Sequence, residues 1–145
     1  MTLSIEQRLN ILESREQIKE LRARYAWLIT RGKIEEVLAL FTEDAIFESW
    51  AKDRRHHVQG RAALGALMMA ADMRRPCTAV PLIHNDIIEI DGDRATGTCV
   101  MQTPVGPNQP DGFTGYYHDV MRREQNGWLF AERRFYLYQP FFEEP

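Results

Sequence analysis

The chain has 145 residues, the length of one ordinary domain. Its net charge is −3 with 27% charged residues, so no basic surplus favours nucleic acid or anionic lipid. The apolar runs fall far short of the ~20 residues of a membrane span, and Met1 to Glu6 lacks the pattern of a signal peptide. We expect one domain over residues 1–145, soluble and cytoplasmic, with neither nucleic acid nor membrane as a partner.

The cysteines and histidines do not form a metal-binding pattern. Cys77 and Cys99 lie in neither a CxxC nor a Cys/His spacing, and we interpret both as core residues. His56 and His57 lack a third ligand at sensible spacing and fit a solvated strand edge or hairpin. The sequence therefore predicts neither a metal ion nor an organic cofactor.

The first part of the chain predicts helices. Ser4 with Gln7, and Ser14 with Gln17, have the S-x-x-Q spacing of a capping box, so one or two helices begin here. Apolar residues then follow at helical spacing until Gly32, a natural helix end. The apolar stripe comprises Ile18, Leu21, Tyr25 and Leu28. Two shorter helices are predicted over residues 34–41 and 61–73, with a strand over residues 45–50 between them.

The rest of the chain predicts strands. β-Branched and aromatic segments cover residues 78–90, 94–104, 114–124 and 128–138. Asp91-Gly92 and Asn126-Gly127 fit two-residue hairpin loops, and the proline-rich loop over residues 104–110 is a candidate cavity rim. Helices followed by an antiparallel meander predict an α+β fold with the helices on one face of the sheet.

Hairpin register predicts which polar side chains point inward. A tight Asp91-Gly92 loop places His84 opposite Cys99 and on the same face as Asp86. That face is the more apolar one and includes small residues, such as Gly97, where a helix can approach. We therefore assign it to the interior.

The same reasoning applies to the last hairpin. A tight Asn126-Gly127 loop groups Tyr116 and His118 with Arg133 and Phe135 on the inner face, and places Asp119 outside opposite Arg134. Tyr25 projects from the apolar stripe of the first helix toward the same space. Two imidazoles, a carboxylate and a phenol in one cavity indicate proton transfer.

Three parts of the sequence resemble SnoaL-like domain proteins of the nuclear transport factor 2-like superfamily: residues 21–25 with 40–47, residues 88–96, and residues 117–134. The resemblance covers almost the whole chain. It implies a cone-shaped, cystatin-like fold in which a curved antiparallel sheet wraps around the N-terminal helices and one pocket. The superfamily includes scytalone dehydratase, bile-acid dehydratase and polyketide cyclases. The resemblance also implies a homodimer or homotrimer.

The chain departs from the catalytic pattern of the most similar lyases. Those enzymes have Tyr-x-x-x-x-Asp on the first long helix and a histidine early in the strand before the Asp-Gly turn. Tyr25 matches, but Thr30 stands at the aspartate position and Pro81 at about the histidine position. The His–Asp dyad is therefore not carried over.

The first hypothesis is a cofactor-independent lyase, isomerase or cyclase that acts on a hydrophobic, oxygenated ring compound. His84 or His118 would transfer the proton, Asp86 would orient an imidazole, and Tyr25 would polarise a substrate oxygen. The predicted ligand contacts are Thr30, Trp50 at a pocket mouth, Tyr116, Cys99 and Phe135.

Two alternatives stay open. One is a binding protein without catalysis, and the other is an accessory subunit, since residues 127–134 also resemble the small subunit of ring-hydroxylating dioxygenases. The aromatic tail, residues 135–142, either closes the pocket or packs against another subunit.

Overall fold

The computed structural model describes residues 2–51, 54–104 and 112–138. Its helices are α1 (Ile5–Arg31), α2 (Ile34–Leu38) and α3 (Arg61–Ala70). Its strands are β1 (Phe41–Ala51), β2 (Arg54–Gln59), β3 (Leu82–Asp91), β4 (Arg94–Thr103), β5 (Phe113–Glu124) and β6 (Gly127–Tyr138). Most of the proline-rich loop and the end of the aromatic tail lie outside the described residues.

The strands form one curved, unclosed sheet in the order β2-β1-β6-β5-β4-β3. All neighbours are antiparallel except β1 and β6, which run parallel. The predicted α+β class is confirmed. The predicted solvated edge at His56 and His57 is the edge strand β2, where both side chains are exposed.

Helix α1 begins and ends where its capping residues predict. Ser4 and Gln7 form a reciprocal capping box, and Gly32 ends the helix in a left-handed conformation with φ 71°. The alternative start at Ser14 is not used, because Ser14 is buried within the helix and accepts a hydrogen bond from Arg123 at 2.8 Å.

The core lies between the inner face of the sheet and the apolar stripe of α1. Within the stripe Ile18, Leu21 and Tyr25 are buried and Leu28 is partly buried. Tyr25 meets Phe41 and Phe130 edge-on, with ring centroids 6.0 and 5.8 Å apart. Each fully buried side chain of this size contributes roughly 1.5–3 kcal/mol to folding. This packing fixes α1 across the concave side of the sheet.

A bulge in β3 corrects the predicted register of the first hairpin. Asp91 pairs with Arg94, so the loop is Gly92-Asp93 and lies one residue later than predicted. The register shifts between His84 and Asp86, where Asn85 has φ 30°. Asp86 pairs with Cys99, whereas His84 pairs with Val100. Because of the extra residue, His84 and Asp86 no longer share a face.

A second bulge reverses the predicted faces of β5. Glu124 pairs with Gly127, so the loop is Gln125-Asn126 rather than Asn126-Gly127. A register shift between Val120 and Met121 then changes the pairing farther along the strands. His118 lies opposite Arg134 on the outer face, and Asp119 lies opposite Arg133 in the interior. The predicted outward pair of Asp119 and Arg134 is therefore wrong.

Across the described ranges, no helix is both long enough and apolar enough to cross a bilayer.

Candidate functional site

An apolar pocket of about 170 Å³ lies between α1 and the inner face of the sheet. Its walls come from α1, the segment before β3, and the inward residues of β1, β4, β5 and β6. The lining residues are Tyr25, Ile29, Phe47, Met73, Ala79, Pro81, Met101, Thr103, Phe113, Tyr117, Phe135 and Leu137. Polar side chains in this described lining are those of two tyrosines and one threonine, so the pocket suits a mostly apolar ligand.

The two pocket tyrosines are neutral phenols. Burial raises the pKa of Tyr25 above its ordinary value of 10.0, while Arg133 and a hydrogen bond from Tyr117 oppose the rise. Burial also raises the pKa of Tyr117 well above 10.0, as does the neighbouring Tyr25. At neutral pH both hydroxyls therefore keep a proton to donate.

A buried arginine lies against both phenols. The guanidinium carbon of Arg133 is 3.6 Å from the ring centroid of Tyr117, 4.2 Å from that of Tyr25 and 4.4 Å from that of Phe130. The side chain has 0% exposure. The rings of Tyr25, Tyr117 and Phe130 form an aromatic cage around this guanidinium. A desolvated cation on aromatic faces is stabilised by about 2 kcal/mol, so the cage helps to hold the charge inside the fold.

Four charged residues connect this cage to α1. Arg133 Nε lies 3.6 Å from Asp119 Oδ1, and Asp119 Oδ2 lies 3.2 Å from Arg22 Nη2. Arg22 also donates a hydrogen bond to Asp86. Burial raises the pKa of Asp119, and the two guanidiniums oppose that rise. The signs alternate along the chain of groups, which limits the cost of burying the charges.

A glycine makes room for this network. A Cβ atom at Gly97 would lie 2.3 Å from Arg22 Nη2. Because Gly97 on β4 has no side chain, the Arg22 guanidinium crosses that strand and reaches aspartates on β3 and β5. A helix was predicted to approach closely at this small residue; the structure instead places the long Arg22 side chain of α1 there.

The structure places the two histidines away from the pocket. His84 is exposed and its Nε2 lies 3.0 Å from Gln102 Oε1, and His118 is half-buried on the outer face. The prediction that both rings enter one interior space is wrong, because one bulge moves His84 to the outer face of β3 and a second exchanges the inward and outward residues of β5. Asp86 points inward as predicted, but its partner is Arg22 rather than an imidazole.

Three predicted ligand contacts also lie elsewhere. Trp50 and Tyr116 are on the outer face, where each stacks on Tyr136, with ring centroids 6.0 and 4.7 Å apart. The Thr30 hydroxyl donates to the Ala26 carbonyl at 2.8 Å, which directs it along its own helix. None of the three lines the described wall of the interior pocket.

Tyr25, Phe135 and Cys99 point inward as predicted. Tyr25 and Phe135 line the pocket. Cys99 is buried beside the charged network, and burial raises the pKa of its thiol to about 11, so the thiol stays protonated and unreactive. The roles of these residues in binding or catalysis stay predictions.

Sequence reasoning missed Tyr117, Asp119 and Arg22 as site residues. Arg22 belongs to the helix face that carries charges, and Tyr117 and Asp119 were assigned to the outer face by the unbulged register. Arg133 was placed in the interior correctly, but no role was given to it. The available signal in the sequence was Gly97, a residue without a side chain on the predicted inner face of β4.

Pro81 lines the pocket at the position where similar lyases have their histidine. Of the two candidate positions, residue 81 and not residue 84 therefore lines the interior pocket. Within residues 2–51, 54–104 and 112–138, no three His, Cys, Asp or Glu side chains come together to hold a metal ion.

The outer face carries a separate groove of about 260 Å³. It is lined by Asn85, Ile87, Thr98, Cys99, Val100, Thr114, Gly115 and Tyr116. Ile87 and Val100 are 62% and 41% exposed, so this face is apolar and open.

Helices followed by a six-stranded curved, unclosed sheet are the architecture of nuclear transport factor 2-like proteins with a cystatin-like fold. Residues 10–134 match the model of the SnoaL-like domain. The chain belongs to the SnoaL-like domain family. No curated protein sequence matches the chain.

Solved structures agree on the fold. A nuclear transport factor 2-like protein from Novosphingobium aromaticivorans has 24% identity and a TM-score of 0.80, with 98% of this chain and 95% of that chain covered. A Mycobacterium tuberculosis protein of unknown function has 27% identity and a TM-score of 0.74, covering 94% and 76%. A Novosphingobium aromaticivorans protein provisionally assigned as a scytalone dehydratase has 21% identity and a TM-score of 0.72, covering 90% and 87%.

Proposed function

We propose that the chain binds a hydrophobic, oxygenated ring compound in the interior pocket, where Tyr25 donates a hydrogen bond to its oxygen and Tyr117 exchanges its hydrogen bond to Tyr25 for one to the ligand. The observation that carries this proposal is an apolar cavity of about 170 Å³ with two protonated phenols in its wall. A dry cavity of about 150 Å³ is large enough for benzene. A single substituted ring therefore fits the volume.

Calorimetric titration with phenol and with toluene, its near-isostere, tests the proposal. We expect saturable binding of both, with phenol bound roughly tenfold more tightly, because hydrogen bonds to a buried hydroxyl contribute about 1 kcal/mol each. Tyr25→Phe and Tyr117→Phe should each reduce the preference for phenol while toluene binding is kept.

Two substitutions that introduce a larger side chain distinguish binding in the pocket from binding in the outer groove. Ala79→Leu places extra volume inside the pocket and should abolish binding of both probes. Thr98→Leu adds a similar volume to the outer groove and should leave binding unchanged. Binding that survives Ala79→Leu but is lost in Thr98→Leu would contradict the proposal.

A second candidate is a cofactor-independent lyase or isomerase. It is supported by the cation of Arg133 next to the two phenols, an arrangement that stabilises negative charge as it develops on a substrate carbonyl oxygen. With an identified substrate, Tyr117→Phe should lower kcat about 10²-fold, whereas His84→Ala and His118→Ala should not change it. A loss of turnover in the histidine variants instead would point to the outer face.

A further inference from the structure

We propose that Arg133 acts through Tyr25 and Tyr117 to favour the anionic form of the ligand oxygen, so that the ligand is an acidic phenol or enol rather than an alcohol or ether. This inference rests on the proposed function and adds a positioning residue and a substrate class to it.

The guanidinium of Arg133 is a permanent cation that packs against the rings of both hydrogen-bond donors, Tyr25 and Tyr117. The guanidinium lies on the faces of the Tyr117 and Tyr25 rings, 3.6 and 4.2 Å from their centroids, and the two ring centroids are 6.2 Å apart. Arginine stays protonated under all ordinary conditions. In a buried environment its field reaches several ångströms beyond the rings with little screening.

The negative charge of Asp119 does not outweigh the effect of Arg133 at either phenol. The charged and titratable groups around Arg133 are Asp119 on β5, Arg22 on α1, Asp86 on β3 and Cys99 on β4. Burial has the largest effect on the pKa of Tyr25, but among the charges Arg133 lowers that pKa more than Asp119 raises it. At Tyr117 the effect of Arg133 on the pKa again exceeds that of Asp119, while the neighbouring Tyr25 raises the pKa by more than Arg133 lowers it.

A ligand anion gains more from this arrangement than a neutral ligand does. Hydrogen bonds to a charged oxygen are about twice as strong as neutral ones, and two phenols polarised by a cation supply both donors. An ether or alcohol oxygen gains only the neutral bonds. If Arg133 served merely as the counter-ion of Asp119, the ionisation of a bound ligand would not depend on it.

Absorbance titration of 4-nitrophenol measures the ionisation of a bound probe directly, because phenol and phenolate have different spectra. We expect its apparent pKa to be at least one unit lower when bound than when free, which corresponds to a tenfold preference for phenolate. An unchanged or raised pKa would overturn the inference, since an apolar pocket alone favours the neutral form.

Adjacent residues of β6 provide a matched pair of variants. Arg133→Gln removes the buried cation, and Arg134→Gln removes the same charge from the outer face. We expect the shift of the bound probe to be lost in Arg133→Gln and kept in Arg134→Gln. Equal shifts in both variants would contradict a role for Arg133.

If Arg133→Gln does not fold, Tyr117→Phe can be used instead. It removes one hydrogen-bond donor and keeps the ring that packs on Arg133. The bound probe should then titrate closer to its free value. Failure of phenol and 4-nitrophenol to bind at all would contradict the proposed function, whereas binding without a shift would contradict this inference alone.

Discussion

Glu48 on β1 is a carboxylate of the outer face whose side chain is only 7% exposed, and four side chains contact its two oxygens. His57 Nδ1 lies 2.7 Å from Oε1, and Arg55 donates to the same oxygen at 3.1 Å. Arg134 and Trp50 donate to Oε2 at 3.1 and 3.3 Å. This arrangement joins β1, β2 and β6 through one anion.

The stability of the protein should depend on Glu48 at acid pH. Burial is the largest single effect and opposes ionisation, but the hydrogen bonds from His57, Arg55 and Trp50 and the charge of Arg134 together outweigh it and lower the pKa from 4.5 to about 2. A lowered folded-state pKa stabilises the fold above pH 4.5, and that contribution is lost as pH falls toward 2. In chemical denaturation between these pH values, Glu48→Gln should lessen the fall in unfolding free energy.

Glu13→Gln provides the control, since it removes the same charge from an exposed position on α1. If both variants gave the wild-type acid slope, the proposed contribution of Glu48 would be refuted.

Individual side chains were the part of the site least accessible to sequence reasoning. The pairing of His84 with Asp86 depended on strict alternation along β3, and Asn85 at φ 30° adds one residue to that count. A bulge changes the face of every residue beyond it. Asparagine tolerates positive φ better than most residues, but this tendency is too weak to locate a bulge in advance.

At the scale of elements, α1 and β3–β5 are joined by the Arg22 network across Gly97. Gly97→Ala should destabilise the fold by about 1–3 kcal/mol, the usual cost of overpacking a tight interior. The new methyl group would lie 2.3 Å from Arg22 Nη2 and displace it from Asp119 and Asp86. The free energy of unfolding in urea measures this loss.

A double variant checks the cause. Arg22→Met removes the guanidinium that the methyl group would meet, so Gly97→Ala should cost much less in that background. Additive losses would show that the strain comes instead from the Ile87 carbonyl oxygen, 3.2 Å from the same position.

The elements themselves followed closely from the sequence. The capping box at Ser4, the glycine at position 32 and the long runs of β-branched residues are local signals, and local signals fix where an element begins and ends. The first hairpin loop was predicted one residue early and the second one residue late, because glycine occupies the first loop position in one hairpin and the position after the loop in the other.

At the scale of the whole molecule, the expected homodimer or homotrimer stays a prediction. Exposed apolar residues lie on the outer face at Ile87 and on α1 at Ile5 and Leu9, which are 62%, 83% and 53% exposed. Native mass spectrometry of the purified protein should give two or three subunits and report any small molecule that co-purifies. A monomer at micromolar concentration would contradict self-association, and a large iron–sulfur partner would favour an accessory subunit.

The overall architecture and the presence of an interior pocket could be predicted because they depend on element order and on family resemblance. The pocket chemistry could not, because it depends on long-range contacts between α1, β3, β5 and β6. No local pattern brings Arg22 and Arg133 together across 111 positions of sequence.

The parallel pairing of β1 with β6 affects how the chain folds during its synthesis. β1 ends at Ala51 and β6 begins at Gly127, with β2 as the described neighbour on the other side of β1. During synthesis, one edge of β1 therefore stays unpaired until the residues of β6 have left the ribosome. Such an open edge is a template for pairing with other nascent chains, so slow translation between the two strands lengthens the interval in which the protein is most exposed to misassembly.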